Sequence, residues 1–205
     1  MSAQVAPPYP LTFSVDYPDR ELNRVTTGFR LILGIPLLLL LAVIGRTGGG
    51  GHPISAGLLL FLPVLALLVL RHKYPRWWFD FNLYLTRLEA RIYSYLFLLR
   101  DEYPSVDDEQ AVRLDIVYPD AQNDLNRWLP LVKWFLAIPH YIVLIFLNIA
   151  AVVVVIIAWF AILFTGRYPQ GMFEFVVGVM RWNLRVAAYA FLLVTDRYPP
   201  FSLAP

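Results

Sequence analysis

The apolar residues of the chain are gathered into two long runs that alternate with polar, proline-rich stretches. The first run lies between residues 31 and 70, around a glycine-rich stretch, and the second covers residues 129–164. A membrane core about 30 Å thick is crossed by roughly 20 helical residues, so the second run is too long for one crossing. We expect it to turn back at Asn148. The runs therefore predict two transmembrane hairpins, over 27–70 and 129–165.

Two short segments of alternating polarity precede these hairpins, at residues 11–17 and 112–118. Their apolar residues recur at every second position, which is the period of a half-buried strand. A single strand of this length is marginally stable in water. We therefore expect the two segments to pair with each other as a small two-strand β element.

The composition is typical of an integral membrane protein. Of the 205 residues 59% are hydrophobic, and the mean hydropathy is +0.58. The chain has no cysteine, which excludes disulfides and thiolate metal sites, and its His and acidic residues lack metal-ligand spacing. We therefore predict no metal and no cofactor. A net charge of +2 with scattered basic residues argues against a nucleic-acid partner.

The two halves of the chain carry the same landmarks in the same order. Each half has a strand, a Tyr-Pro turn, an Asn-Arg pair, a hairpin, and then a helix with two arginines one turn apart. We therefore interpret residues 1–104 and 105–205 as two tandem repeat units. The turn and cap residues are Tyr17, Pro18, Asp19 and Asn23 in the first unit and Tyr118, Pro119, Asp120 and Asn126 in the second.

This arrangement resembles a bacterial membrane-protein family, the domain of unknown function four-three-eight-nine, in which a Tyr-Pro and Asn-Arg motif precedes paired membrane spans. The resemblance runs through residues 17–36, 74–104, 118–139 and 168–199. It implies a fold family, and it transfers no activity to these residues.

The arginine-bearing segments, residues 77–99 and 172–194, decide the predicted topology. A cation at the bilayer centre costs about 2.5 to 3.5 kcal/mol on insertion scales, so we expect amphipathic helices that lie flat at the interface. The alternative is three crossings per unit and inverted repeats. With two hairpins, all Lys and Arg residues except Arg46 lie on the side of the termini. The predicted fold class is an all-α, multi-pass protein of the bacterial inner membrane, with four transmembrane helices and both termini cytoplasmic.

The first amphipathic segment carries a second polar stripe, which an interfacial position does not explain. Arg87 and Arg91 share one stripe at 100° per residue. Asn82, Thr86 and Glu89 form another on the opposite face. The corresponding face of the second segment consists of Val176, Met180, Asn183 and Ala187. The stripe common to both segments carries the arginines, and we expect it to have a specific partner.

Several polar residues near the apolar runs are candidate sites. Guanidinium forks suit phosphate, which predicts anionic lipid binding, whereas the alternative is helix capping and ion pairing with the motif aspartates. The arginines of the lipid hypothesis are Arg24 with Arg87 and Arg91, and Arg127 with Arg181 and Arg185. His140 lies inside the second run. It either bonds a neighbouring carbonyl, or it serves as a proton-relay site or as a ligand of a pigment or haem. Pro36 and Pro139 predict kinks in the first span of each hairpin.

The sequence contains no nucleophile elbow, catalytic triad or phosphate-binding loop. The predicted function is a non-enzymatic membrane scaffold or accessory subunit, which associates with anionic lipid and with other membrane proteins or copies of itself. The alternative is a small transporter or channel with a path between the repeats, for which the sequence supplies few polar residues. A membrane enzyme that acts on lipids ranks last.

Overall fold

The computed structural model of the protein describes residues 9–44, 56–105 and 108–205. The elements in chain order are β1 (Leu11–Val15), α1 (Arg24–Gly28), α2 (Arg30–Leu33), α3 (Ile35–Ile44), α4 (Ala56–Arg71), α5 (Arg76–Leu96), β2 (Val112–Ile116), α6 (Pro130–Leu136), α7 (Ile138–Thr165) and α8 (Gln170–Ala190). The helices surround one small sheet, whose strands contact α5 and α8.

The two predicted strands pair with each other, which confirms the small two-strand element. They run antiparallel, with Phe13 opposite Leu114 at the centre of the register. In each strand the first, third and fifth side chains are buried and the two between them are exposed. The alternation therefore buries one apolar face of the sheet in the core and leaves the other face to solvent.

The second apolar run contains one long helix, so the predicted hairpin over 129–165 is wrong. α7 has 28 residues, about 42 Å at 1.5 Å per residue, and it passes through Asn148 without a turn. The side chain of Asn148 exchanges hydrogen bonds with Asn183 of α8, at 3.0 and 3.3 Å. Because the amide has a partner there, this polar residue is compatible with the middle of an apolar helix.

The first apolar run forms helices that are too short to cross a membrane. α3 has 10 residues and α4 has 16, about 15 and 24 Å long, and the glycine-rich turn predicted between them, with Arg46, lies outside the described residues. Within the described ranges, α7 is the one helix long and apolar enough to cross a bilayer. The predicted four transmembrane helices are therefore wrong. A hydropathy run counts apolar residues whether or not they belong to one continuous helix.

The kinks predicted at Pro36 and Pro139 are helix starts instead. Each proline is the second residue of its helix, α3 or α7, and a short helix ends just before that helix begins. A proline in the first turn loses no hydrogen bond, because the N–H there has no intrahelical partner. Each apolar run is therefore divided into a short helix and a longer one just before its proline.

The arginine-bearing segments form α5 and α8, and both helices end before the predicted residues 99 and 194. Leu98 and Leu193, just beyond the two helices, have φ of 64° and 57°, and a left-handed residue ends a helix. Of the 21 residues of α8, 12 are buried, and the helix contacts α7 and β1. The prediction of a flat interfacial helix is therefore wrong for α8, because its arginines find protein partners inside the fold.

The two halves of the chain interlock. α1 packs on α7 of the other half, and α6 packs on α4 in the same way. Trp159 of α7 donates its indole N–H to the Thr27 carbonyl at 3.0 Å. Arg127 donates to the carbonyls of Val69 and Leu70, at 2.6 and 3.0 Å, where α4 ends. This exchange places helices of both halves around a common cavity.

Candidate functional site

A cavity of about 700 Å³ lies between α4, α5, α7 and α8. Its wall is mainly aliphatic and aromatic, and polar side chains from three helices and from the turn before α5 interrupt it. These polar residues are Tyr74, Asn82, Thr86, Glu89, Tyr93, Tyr141, Asn148 and Asn183. Small-molecule sites have this size and composition, so we take the cavity as the candidate functional site.

The cavity is lined by corresponding positions of α5 and α8. The residues are Asn82, Thr86 and Glu89 of α5 and, 94 residues further along in each case, Val176, Met180 and Asn183 of α8. The second polar stripe of α5 therefore faces an interior space shared by both halves. Sequence reasoning detected this stripe but assigned it no place, because the hydropathy pattern does not show which helices meet.

An amide pair joins α7 to α8 in the cavity wall. Asn183 Nδ2 donates to Asn148 Oδ1 at 3.0 Å, and Asn148 Nδ2 donates to Asn183 Oδ1 at 3.3 Å. Asn183 Nδ2 also donates to the Val179 carbonyl at 2.9 Å, so both of its N–H groups are used. Asn148 has a second N–H, and each amide oxygen has a second lone pair. The pair can therefore bond one more polar group from the cavity.

Asn82 and Thr86 are hydrogen bonded along their own helix. Asn82 Nδ2 donates to the Trp78 carbonyl at 2.8 Å, and Thr86 Oγ1 donates to the Asn82 carbonyl at 2.7 Å. Such local bonds satisfy these donors without any ligand.

Tyr141 brings a buried hydroxyl to the cavity, two helical turns before Asn148. Within the described part of the chain, this hydroxyl has no hydrogen-bond partner. Its ring lies nearly parallel to that of Phe191, with centroids 6.3 Å apart, and Phe61 meets Phe191 edge-on at 6.4 Å. A buried hydroxyl without a partner is unfavourable, so this group marks a point that a ligand atom would satisfy.

The arginines of the common stripe bind the small sheet. Arg87 Nε donates to the Leu114 carbonyl at 2.8 Å, and Arg181 Nε donates to the Phe13 carbonyl at 3.0 Å. Each arginine thus reaches the strand of the other half. Burial lowers the pKa of Arg181, and the neighbouring Arg185 lowers it further. The specific partner expected for this stripe is the central residue pair of the sheet.

Arg91 and Arg185, one turn further along, also contact backbone. Arg91 donates to the Ser105 carbonyl, and the buried Arg185 donates to the Ser202 carbonyl at 3.5 Å. Arg127 is bound to the end of α4, and Arg24 lies beside Gly166 at the end of α7.

A second cavity, of about 600 Å³, bears on the lipid-phosphate hypothesis. Among the described residues Arg87, Arg91 and Arg113 line it, and Arg24 does not. A phosphate there would meet the carboxylates that share the wall, those of Asp16, Glu109 and Asp115. The hypothesis stays a prediction, and it now requires the phosphate to compete with these acidic groups and with the carbonyls of the sheet.

Two cations, Arg30 and Lys133, are buried inside the fold. Arg30 is 2% exposed and Lys133 is 0% exposed. Arg30 contacts Asp101, and its guanidinium carbon lies 4.2 Å from the centre of the Tyr95 ring. Lys133 Nζ lies 2.6 Å from Asp196 and donates to the Thr195 carbonyl at 2.7 Å. Burial lowers the pKa of Lys133, and Asp196 opposes this shift.

The two aspartates also bind the turn motif. The backbone N–H of Asn23 donates to Asp101 at 2.8 Å, and that of Asn126 donates to Asp196 at 2.5 Å. In the sequence, Arg30 and Lys133 occupy corresponding positions of the two halves, and so do Asp101 and Asp196. This correspondence does not reveal that each cation lies on its own half's aspartate.

Asn23 caps the start of α1, and Asn126 bonds the turn that precedes α6. Asn23 Oδ1 accepts the N–H groups of Val25 and Thr26, at 2.9 and 3.2 Å, and Asn126 Oδ1 accepts those of the second and third residues after it. Asp120 forms a turn with Gln122 and Asn123, and the Asn123 side chain, followed by the Gln122 N–H, lowers the pKa of Asp120. Asp19 is exposed.

The motif tyrosines connect the halves. Tyr17 donates its hydroxyl to the Tyr168 carbonyl, and Tyr118 donates to the Tyr74 carbonyl, both at 2.5 Å. Pro18 and Pro119 follow them and hold each tyrosine extended. These contacts agree with turn and anchor roles for the tyrosines.

His140 is buried in an aromatic cluster. Trp182 donates its indole N–H to His140 Nδ1 at 3.0 Å, and the Phe201 ring stacks on the imidazole at 4.0 Å. Indole can only donate, so the imidazole proton is on Nε2 and the Nδ1 lone pair is occupied. This geometry favours a packing role for His140 over that of a haem or pigment ligand. Within the described residues no group of three metal-ligating side chains is found.

Residues 128–202 match a protein-family model described as Domain of unknown function (DUF4389). This segment of the chain is similar to that family. The match confirms the resemblance over this segment, which includes α6, α7 and α8 with Lys133, Asn148 and Asn183. No curated protein and no solved structure matches the chain.

Proposed function

We propose that the protein is a non-enzymatic integral membrane protein, which acts as a scaffold or accessory subunit in contact with lipid and with other membrane proteins or copies of itself. The single observation that carries this proposal is the exposed apolar surface of α7. Five of its 28 residues are buried, and they are His140, Leu144, Ala151, Ala158 and Ile162.

The rest of α7 presents large apolar side chains to the outside. Ile145, Phe146 and Ile149 are 58%, 69% and 59% exposed, and similar side chains follow through Phe164. Soluble monomers rarely expose contiguous apolar patches larger than a few hundred Å². A helix long enough to cross a bilayer and apolar on most of its circumference supports contact with lipid or with partner helices.

We further propose that the protein resides in the bacterial inner membrane with both termini in the cytoplasm, as the distribution of Lys and Arg favours. Two cytoplasmic termini require an even number of crossings, so α7 would need a matching apolar segment. Fusion of a periplasm-active enzyme and of a cytoplasm-active fluorescent protein to each terminus tests this placement. Enzyme activity from either terminal fusion would contradict it.

The accessory role is tested by purification from native membranes in mild detergent, without crosslinking, followed by mass spectrometry. We expect a stoichiometric membrane-protein partner or a defined homo-oligomer. A triple variant, Ile145→Ala, Phe146→Ala and Ile149→Ala, should lose the partner and remain in the membrane, whereas Gln122→Ala, in an exposed turn, should keep it. Purification of the wild-type chain alone as a monomer would refute the role.

A small transporter or channel is the second candidate, because helices of both halves line the 700 Å³ cavity. Purified protein in liposomes would then move a solute, and a Met180→Trp substitution that fills the cavity would stop this movement. Tight liposomes under all gradients would exclude the second candidate and leave the accessory role intact.

The two-repeat organisation is also part of the proposal. It is supported by matched contacts: the bond from Arg87 to Leu114 corresponds to that from Arg181 to Phe13. We infer an approximate two-fold axis through the central pair of the sheet. Because each half supplies partners for the other, co-expressed fragments 1–105 and 106–205 should purify together. Independent solubility of either fragment would argue against this interlocked duplication.

A further inference from the structure

The cavity of about 700 Å³ between the helices is partly open to the outside. Its wall includes Phe61, Phe97 and Phe191, with aliphatic residues of α7 and α8 between them. A space of this size and apolar lining lies within the range of drug-sized ligand sites. A ligand that fills this cavity therefore needs a largely apolar body.

Hydrogen-bonding groups occur in this wall at two levels of α7. The Asn148 and Asn183 pair retains one N–H and spare acceptor lone pairs, as described above. Tyr141 lies seven residues before Asn148, about 10 Å along the helix axis, and its buried hydroxyl has no partner among the described residues. A ligand for this site therefore carries oxygen atoms that both accept and donate hydrogen bonds.

The charge of the cavity wall restricts which polar group a ligand can carry. Among the described lining residues, Glu89 is the one Asp, Glu, Lys or Arg side chain, and it is acidic. In the described part of the wall, no guanidinium or ammonium group is present to neutralise a phosphate or a carboxylate. Burial of an anion beside a carboxyl group is unfavourable, so an uncharged head is the better match.

We propose that this cavity binds an uncharged amphiphile, with a hydroxyl or ester head at the Asn148 and Asn183 pair and an apolar chain along the phenylalanine wall. This inference concerns a ligand site and does not depend on the accessory role. A second oxygen of the amphiphile, at the level of Tyr141, can bond the Tyr141 hydroxyl. Membrane lipid provides an abundant source of such molecules.

The test is native mass spectrometry of the purified full chain titrated with 1-monooleoylglycerol, and in parallel with oleate, in one detergent. We expect a one-to-one adduct with the glycerol ester, and at least tenfold weaker binding of the anionic oleate. Tyr141→Phe should weaken the ester adduct about fivefold to tenfold, the effect of one lost hydrogen bond.

Met180→Trp, which fills the cavity, should abolish the adduct, while Ile145→Trp, the same addition on the outer face of α7, should leave it unchanged. Ala187→Leu provides a smaller filling substitution if the tryptophan variant does not fold. An equal adduct in the folded filled variants, oleate binding as tight as that of the ester, or no adduct with wild type would overturn the proposal. None of these outcomes changes whether a membrane partner purifies with the chain.

Discussion

Arg181 donates its Nε hydrogen to the carbonyl oxygen of Phe13, across 3.0 Å and from one half of the chain to the other. The equivalent bond from Arg87 ends on Leu114, the residue opposite Phe13 in the sheet. Two charged side chains thus bind the backbone of the sheet at its centre. A charged group bonded to a carbonyl contributes more than a neutral one, so these contacts are central to how the halves hold together.

Replacement of either arginine should therefore destabilise the fold. We expect Arg181→Gln to lower the free energy of unfolding by about 1.5 to 3 kcal/mol, because a hydrogen bond to a charged group is lost. Thermal unfolding in detergent measures this loss. Arg113→Gln, which removes an exposed ion pair with Asp16, should change stability by less than about 1 kcal/mol. If Arg181→Gln instead kept full stability and released bound phospholipid, the result would support the lipid-phosphate hypothesis and contradict this structural role.

The buried pair of Lys133 and Asp196 predicts a pH-dependent defect. Asp196→Asn leaves a buried charge unpaired and should cost about 3 to 5 kcal/mol near neutral pH. Burial already lowers the pKa of Lys133, and loss of Asp196, which opposes that shift, lowers the pKa further. Between this lowered folded pKa and about 10.5, the unfolded chain binds the proton that the folded chain has released. Stability of the variant should therefore rise as the pH increases through that window.

The matched control is Asp101→Asn in the first half, where the buried cation is Arg30. A guanidinium stays protonated at every accessible pH, so alkaline conditions should not rescue this variant. Unfolding measured by circular dichroism from pH 7 to 10 compares the two variants. Equal recovery of both variants would show that the rescue does not come from Lys133.

The amide pair of Asn148 and Asn183 predicts strong coupling between two substitutions. Asn148→Leu alone should cost about 1 to 3 kcal/mol, because it leaves the Asn183 amide with an unsatisfied group. The double variant with Asn183→Leu should recover most of this loss, since both polar groups are then replaced by apolar ones. A double-mutant cycle of unfolding free energies measures the coupling. Additive losses would mean that the two amides do not depend on each other.

Cysteine labelling tests the environment of α7. The chain has no native cysteine, so each introduced thiol is a unique site. Phe146→Cys and Val153→Cys, both on the exposed side of α7, should not react with a water-soluble maleimide in native membranes, because a thiolate does not form in hydrocarbon. Gln122→Cys, in an exposed turn, should react once the membranes are opened. Rapid labelling at 146 in intact membranes would place α7 in water.

The extent of sequence-based prediction differs between elements. The strands at 11–15 and 112–116 could be predicted because strict alternation over five residues leaves one apolar face to bury. α5 and α8 could be predicted from their arginine spacing. The hairpin at Asn148 could not be judged in this way, since whether a polar residue turns the chain depends on whether a neighbour such as Asn183 bonds it.

The amino-acid sequence by itself determined the local periods, the cap at Asn23, and the apolar character of α7. These features depend on neighbours within a few residues. Tertiary structure alone decided that Arg30 and Lys133 are buried on aspartates, that the arginines bind the opposite strand, and that α5 and α8 enclose a cavity. Those contacts join residues 27 to 168 positions apart, and the free energy of burying a charge depends on partners that local sequence does not reveal.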